Sequence, residues 1–285
     1  NSIAEALQLV PSEEIARVEI ITHPSAKYDA EGTDAVINII TKKRRHDGYN
    51  GNLCSIIGNW QQELTGTLKL RSGYWILNFD GGLYRNENES GNTLTRSANK
   101  VETAIRLQQQ REAETKQNVQ LASITVMRIL DSLNTLNFGY RLRKMEGREM
   151  ATQYSQLISA DTIANSFYRD IPSTFGNSVH TFTGAYSGQS RDKEREFNFM
   201  GAYFRHQGTD TYNLQQFRNE FLDYREKSEG ETGNRELTLQ ADFVNHFTKL
   251  SKLETGIKGV WRTTATENIF DIYNPSQQKY LRDEI

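Results

Sequence analysis

From Gly48 onward, apolar and polar residues alternate with a period of two. Leu64, Gly66, Leu68 and Leu70 are set against Thr65, Thr67, Lys69 and Arg71, and Trp75, Leu77, Phe79, Gly81 and Leu83 against Ile76, Asn78, Asp80, Gly82 and Tyr84. The design returns in Leu136, Phe138, Tyr140 and Leu142, in Phe197, Phe199, Gly201 and Tyr203, in Leu237, Leu239, Ala241 and Phe243, and in Leu253, Thr255, Ile257, Gly259 and Trp261. Successive side chains of a strand point to opposite faces, so these stretches predict strands with one apolar face. Each runs to about ten residues or more, long for a soluble strand and suited to crossing a bilayer at a tilt. Between Leu121 and Ile124 the apolar phase shifts, which predicts a bulge in the strand over Val119–Arg128.

The connections predicted between these strands alternate in length. Short ones fall at Ser72-Gly73, at Asp131-Ser132-Leu133-Asn134, at Gln189-Ser190-Arg191-Asp192-Lys193 and at Lys249-Leu250-Ser251, and long ones over 86–117, 147–177 and 208–233. Short turns on one side and long loops on the other are the habit of bacterial outer-membrane barrels. Ahead of Gly48 the pattern is different. Ile3, Leu7 and Val10 have helical spacing behind a capping box of Ser2 and Glu5, and strands follow at Val18–Ile21 and Val36–Thr41.

Composition changes this picture little. The chain of 285 residues has a net charge of -2, which gives no nucleic-acid footprint. Mean hydropathy is -0.70 and no apolar run approaches the length of a membrane helix, yet alternating barrel strands average to a soluble-looking value. Tyr and Phe, 13 of each, fit the aromatic girdles of a barrel and fit a soluble sandwich almost as well. The single Cys54 cannot close an internal disulfide and reads as a small apolar strand residue, and Lys42-Lys43-Arg44-Arg45 reads as the solvated end of a strand.

The segment Ile15-Ala16-Arg17-Val18-Glu19-Ile20-Ile21, followed by Pro24-Ser25-Ala26-Lys27-Tyr28-Asp29-Ala30-Glu31-Gly32 and by Ile37-Asn38-Ile39-Ile40-Thr41-Lys42-Lys43, resembles the end of the plug domain of TonB-dependent outer-membrane receptors of the Bacteroidetes type. Asp34-Ala35 departs from that family, which has a small residue or Gly there. The resemblance implies a mainly β chain: the end of a small α/β plug over 1–45, with Tyr28, Gly32 and Asn38 as structural motif residues, then antiparallel transmembrane β-barrel strands, a partial barrel, over 46–285. With the plug on the periplasmic side, the first strand runs outward, Asn59-Trp60-Gln61-Gln62 is the first outside connection, and parity puts every short turn inside. Roughly nine or ten strands precede Ile285, against about 22 in plugged transporters. The chain begins inside structure and without a signal peptide, so a fragment is expected, with two open sheet edges.

Candidate chemistry is sparse. Asp29, Glu31 and Asp34 lack the full ligand set of a calcium loop, and His23, His46, His180, His206 and His246 have no metal-ligand spacing, so no metal and no cofactor is expected. No nucleophile elbow, phosphate loop or dinucleotide fingerprint occurs, which argues against an enzyme. The predicted outer connections carry aromatics suited to holding a ligand: Trp60, Tyr154, Phe167, Tyr168, Phe175, Tyr212, Phe217, Phe221 and Tyr224, whose plainer role is to extend and brace strands. Asp80, Arg141, Asp242, Lys258 and Arg262 are expected to face the lumen.

The resemblance implies energised uptake of a bulky extracellular nutrient through a plugged barrel, with outer-membrane lipid, the TonB complex of the inner membrane and a surface lipoprotein as partners. Two other readings predict different things. A soluble or surface-exposed β-rich binding or adhesion module would divide its faces into core and water, and a barrel that senses or anchors would carry a signalling domain ahead of residue 1.

Overall fold

The computed structural model describes residues 15–21, 36–41, 47–100, 103–159, 162–248 and 251–282. β1 (Ile15–Ile21) and β2 (Val36–Thr41) pair antiparallel, with Glu19 opposite Asn38 and Ile20 opposite Ile37. Tyr28, Gly32, the predicted N-terminal helix and the acidic turn lie outside the described residues. Ten further strands form one antiparallel sheet in sequence order: β3 (Gly48–Ile57), β4 (Gln61–Ser72), β5 (Trp75–Lys100), β6 (Thr103–Ile129), β7 (Asn134–Ser159), β8 (Thr162–Gln189), β9 (Arg195–Arg218), β10 (Phe221–Thr248), β11 (Ser251–Asn274) and β12 (Lys279–Arg282). Such an order, each strand beside its chain neighbour, is that of an up-and-down barrel wall, and β3 and β12 are its open edges.

The register sorts the side chains. Residues directly opposite one another across antiparallel strands share a face. One row reads Leu68, Phe79, Ile124, Tyr140, Phe182, Tyr203, Leu237 and Trp261 from β4 to β11. Two residues along, the same face carries Leu70, Leu77, Val126, Phe138, Gly184, Gly201, Leu239 and Gly259. This apolar face is uncovered: Ile257 is 75% exposed, Trp261 58% and Phe138 56%. The opposite face holds Asp80, Arg141, Asp242, Lys258 and Arg262, as the alternation predicts, and Arg262 Nε donates to Glu236 there at 2.7 Å. It also holds every buried non-glycine side chain among the described residues: Ala113, Ala151, Ser155, Gln216, Ser228, Thr238 and Val244. Crowding on the polar face and exposure on the apolar one are what a sheet produces when it curls around a wet lumen and turns its apolar side to lipid.

The apolar band is inclined to the rows. On β3 it reaches Ile57, six residues past Gly51, whereas on β11 it ends at Trp261, which belongs to the row of Gly51. Strands tilted against the membrane normal require that stagger. Cross-strand aromatic contacts brace the band, with Tyr140 and Phe182 at 4.8 Å and Phe197 and Phe243 at 5.1 Å between ring centres. At its inner margin the Arg128 guanidinium lies 4.7 Å over the Trp75 ring, a pairing suited to the headgroup level.

Two sequence expectations are corrected. The stretches 86–117, 147–177 and 208–233 are not long loops. They are the outer ends of strands β5 to β10, 24–28 residues long, so each hairpin rises roughly 80–90 Å at about 3.4 Å per residue. Hydrophobic alternation lapses there because both faces are wet, but pairing continues through polar side chains. Nor does β6 contain a bulge: its register is continuous on both sides, and Leu121 faces the lumen while Ile124 faces lipid. Irregularities instead fall near hairpin ends, at Leu157/Ile158, Leu222/Tyr224 and His246/Thr248. At the outer end of β9–β10, Asn219 (φ 47°) and Glu220 (φ 69°) both adopt the left-handed conformation, as a two-residue type I′ turn demands.

Candidate functional site

Above the apolar band the inner face of β6 to β10 forms a wall of polar side chains, with Phe167, Ile171, Phe175 and Leu214 interspersed among them. It begins with Arg111, whose Nη2 bonds the Glu149 carboxylate, while Thr115 Oγ1 donates to the second oxygen of Glu149 at 3.3 Å. Nearer the tips, buried Ser155 accepts from Gln109 at 3.2 Å and from Gln153 at 3.4 Å. Period-two spacing puts Glu149, Ala151, Gln153 and Ser155 on one face of β7, and small Ala113 and Ala151 let the longer neighbours fold over them.

The next strands continue the wall. Arg169 Nε on β8 donates to Gln216 Oε1 on β9 at 2.8 Å. Gln216 Nε2 donates at 3.0 Å to Asp223, which also meets Arg218 at 3.0 Å. The Arg169 guanidinium lies 4.9 Å over the Phe167 ring. Tyr212 and Tyr224 both donate to Glu226, the latter at 2.6 Å. Burial, with the Glu226 hydrogen bond and charge behind it, pushes the Tyr212 phenol up to about 12. The charges largely neutralise one another, leaving hydroxyls, amides and ring edges turned to the lumen. Such a surface presents hydrogen-bonding groups and aromatic rings to the lumen.

The predicted aromatic residues divide between the faces. Tyr212, Tyr224 and Phe167 lie on the inner face, with the two tyrosines joined through Glu226. Tyr154, Tyr168 and Phe217 stand in one row on the outer face, with Tyr168 stacked on Phe217 at 4.8 Å and Tyr154 6.1 Å from Tyr168. Trp60, 57% exposed, sits apart in the turn between β3 and β4. Arg111, Glu149, Arg169, Gln216 and Glu226 were not singled out from sequence. For two of them a signal was available, an even number of residues from a predicted lumen-facing position on the same strand: Glu149 from Arg141 and Glu226 from Asp242.

Residues 188–284, about a third of the chain, match the family model described as outer membrane protein beta-barrel family. Among solved structures, the chain is similar to the siderophore receptor PiuA from Acinetobacter baumannii at 9% identity and a TM-score of 0.22, over 91% of this chain and 52% of that receptor. The chain thus spans about half the length of the receptor. No curated protein matches. With the family match over β9 to β11 and the uncovered apolar band, the antiparallel sheet is a section of barrel wall in the bacterial outer membrane, surrounded by its lipid.

Proposed function

We propose that this section of outer-membrane barrel serves a TonB-dependent receptor that captures a bulky extracellular nutrient and imports it past a plug. The observation that supports this reading most is the polar wall of β6 to β10, which stands above the lipid band and turns Arg169, Gln216, Tyr212 and Tyr224 toward the lumen. A lumen walled by at least ten strands would leak if it stood open, so the gate must be blocked and mechanically driven. The plug-like segment ahead of β3, with its paired β1 and β2, fits that need. Capture and passage require binding and no covalent step, so the role is non-enzymatic.

The test uses the full receptor in its own cells. A strain lacking it is grown with iron chelates, peptides or glycans supplied singly, beside a strain lacking TonB and one carrying Arg169→Ala with Gln216→Ala. The expected result is that all three lose growth on the same class of nutrient while the variant still reaches the outer membrane. Unimpaired growth of the deletion strain on every class, under conditions where the receptor is expressed, overturns import. Growth that depends on the receptor but not on TonB overturns the energised mechanism.

A further inference from the structure

The lipid-facing surface carries a row of basic side chains, with two arginines opposite one another, at the upper margin of its apolar band. His180 on β8, Arg205 on β9 and Arg235 on β10 are directly opposite one another, two residues above Phe182, Tyr203 and Leu237 on the same face. His180 is fixed there by Tyr140, whose hydroxyl lies 3.0 Å from Nδ1. Like charges directly opposite across strands repel, and at a lipid boundary water screens them poorly. Other cations on this face have partners of their own: Lys144 meets Glu146 at 2.6 Å, Lys116 meets Glu114 at 2.7 Å, and the Arg128 and Arg225 guanidinium groups lie over the Trp75 and Tyr273 rings. Arg205 and Arg235 have none among the described residues, and the Arg205 Nε is buried without a hydrogen-bond partner.

Below the row of Phe182, Tyr203 and Leu237 the band is hollow. Gly184, Gly201 and Gly259 lie in one row with Phe138 and Leu239, between larger residues such as Tyr186 and Phe199 on one side and Trp261 on the other. They open a groove of about 690 Å³ lined mainly by apolar side chains. An anion with hydrocarbon tails satisfies both features at once.

We propose that His180, Arg205 and Arg235 hold the phosphate of an anionic outer-leaflet lipid whose acyl chain lies in the groove over Gly184, Gly201 and Gly259. The leaflet follows from the fold: the row sits at the end of the band from which β8 to β10 continue outward, away from the turns at 130–133 and 190–194. The phosphate supplies the charge that the two arginines lack, and planar guanidinium groups match its oxygens in pairs. The site is on the face opposite the polar wall, so it is independent of nutrient capture.

The full-length receptor, purified and stripped of lipid, is offered nanodiscs that contain either phosphorylated lipid A or its dephosphorylated form, and retained lipid is counted by native mass spectrometry. The wild type should retain the phosphorylated lipid at least tenfold better. Arg205→Gln with Arg235→Gln should lose that preference, while Lys116→Gln with Lys227→Gln, which removes the same charge higher on the same face, should keep it. Equal retention of the two lipids by the wild type overturns the proposal, and this comparison needs no variant to fold. Equal phosphate preference in the Arg205/Arg235 variant and the wild type also overturns it. Because nutrient-dependent growth reads the opposite face, failure there leaves the lipid result standing, and the reverse holds.

Discussion

Phe138→Arg puts a guanidinium near the middle of the lipid band on β7, between Leu136 and Tyr140, where the Phe ring packs 3.6 Å from the position a Gly184 Cβ would take. Arginine on the lipid face costs about 2–4 kcal/mol at the bilayer midplane and about 0–1 kcal/mol near the interface. At about 1.4 kcal/mol per tenfold, the midplane cost lowers the folding equilibrium roughly 30- to 700-fold. Leu142→Arg, on the same face four residues higher at the margin of the band, should cost about 0–1 kcal/mol. Asn137→Arg, one residue away and turned to the lumen beside Met127 and Ala185, should cost still less because its charge stays in water. Urea titration of the full-length protein folding into bilayers with a hydrocarbon core of about 30 Å reads all three. An ordering in which Asn137→Arg costs as much as Phe138→Arg would refute the assignment of faces. A cost at Leu142 equal to that at Phe138 would refute the position of the band.

Alkaline absorbance titration of the folded protein should show Tyr212 ionising near 12 rather than near 10. Tyr212→Phe should therefore remove amplitude only at the alkaline end, and loss of amplitude near pH 10 would contradict the burial and the Glu226 bond. Because the folded phenol has the raised pKa, its contribution to stability is complete below about pH 10 and is lost as pH rises toward about 12. Glu220→Gly, at a left-handed turn position with φ 69°, should stabilise the β9–β10 tip by about 1 kcal/mol, read as slower hydrogen exchange there. Gly147→Ala should cost about 1–3 kcal/mol because the Phe175 ring fills the place of the new Cβ. Adding Phe175→Ala should recover part of that loss, and strict additivity of the two changes would show that the ring is not the obstacle.

Within the lipid band the chain was legible almost residue by residue. One solvent is oil and the other is water there, so the faces of each strand differ, and Leu136, Phe138 and Tyr140 separate from Asn137, Gly139 and Arg141 by period alone. The inner turns were legible for the same reason, as breaks between alternating runs. Outside the band both faces are wet and the period carries no contrast, so Thr103–Asn118 looks like loop although it is strand β6. Two signs were nevertheless present. That stretch contains no Gly and no Pro, and a connection over 86–117 would be far longer than ordinary loops in compact domains. The bulge expected at Leu121 came from treating every apolar residue as lipid-facing, when Val119 and Leu121 turn inward and Val179 shares the row of Leu121 across β7. The contacts of Glu226 with both tyrosines were beyond sequence reading, because they need the register of β9 against β10.

That register also explains why the wall stands so far above the membrane without losing its order. Strands that are polar on both faces specify their pairing weakly, and a slip of one residue would carry Tyr212 from the lumen to the outer surface. Three features hold it. Below, the lipid band fixes the phase of every strand, because a slip there would turn Phe182, Tyr203 and Leu237 into the lumen. At mid-height on the outer face, Lys116 meets Glu87 on β5 at 3.3 Å and Lys227 meets Asp271 on β11 at 3.1 Å, cross-strand pairs that are each weak but specific to one alignment. Near the tips, the stack of Tyr154, Tyr168 and Phe217 closes the outer face. The outer aromatics and ion pairs thus set the phase in which the inner face brings Tyr212 and Tyr224 onto one carboxylate and Arg169 onto Gln216.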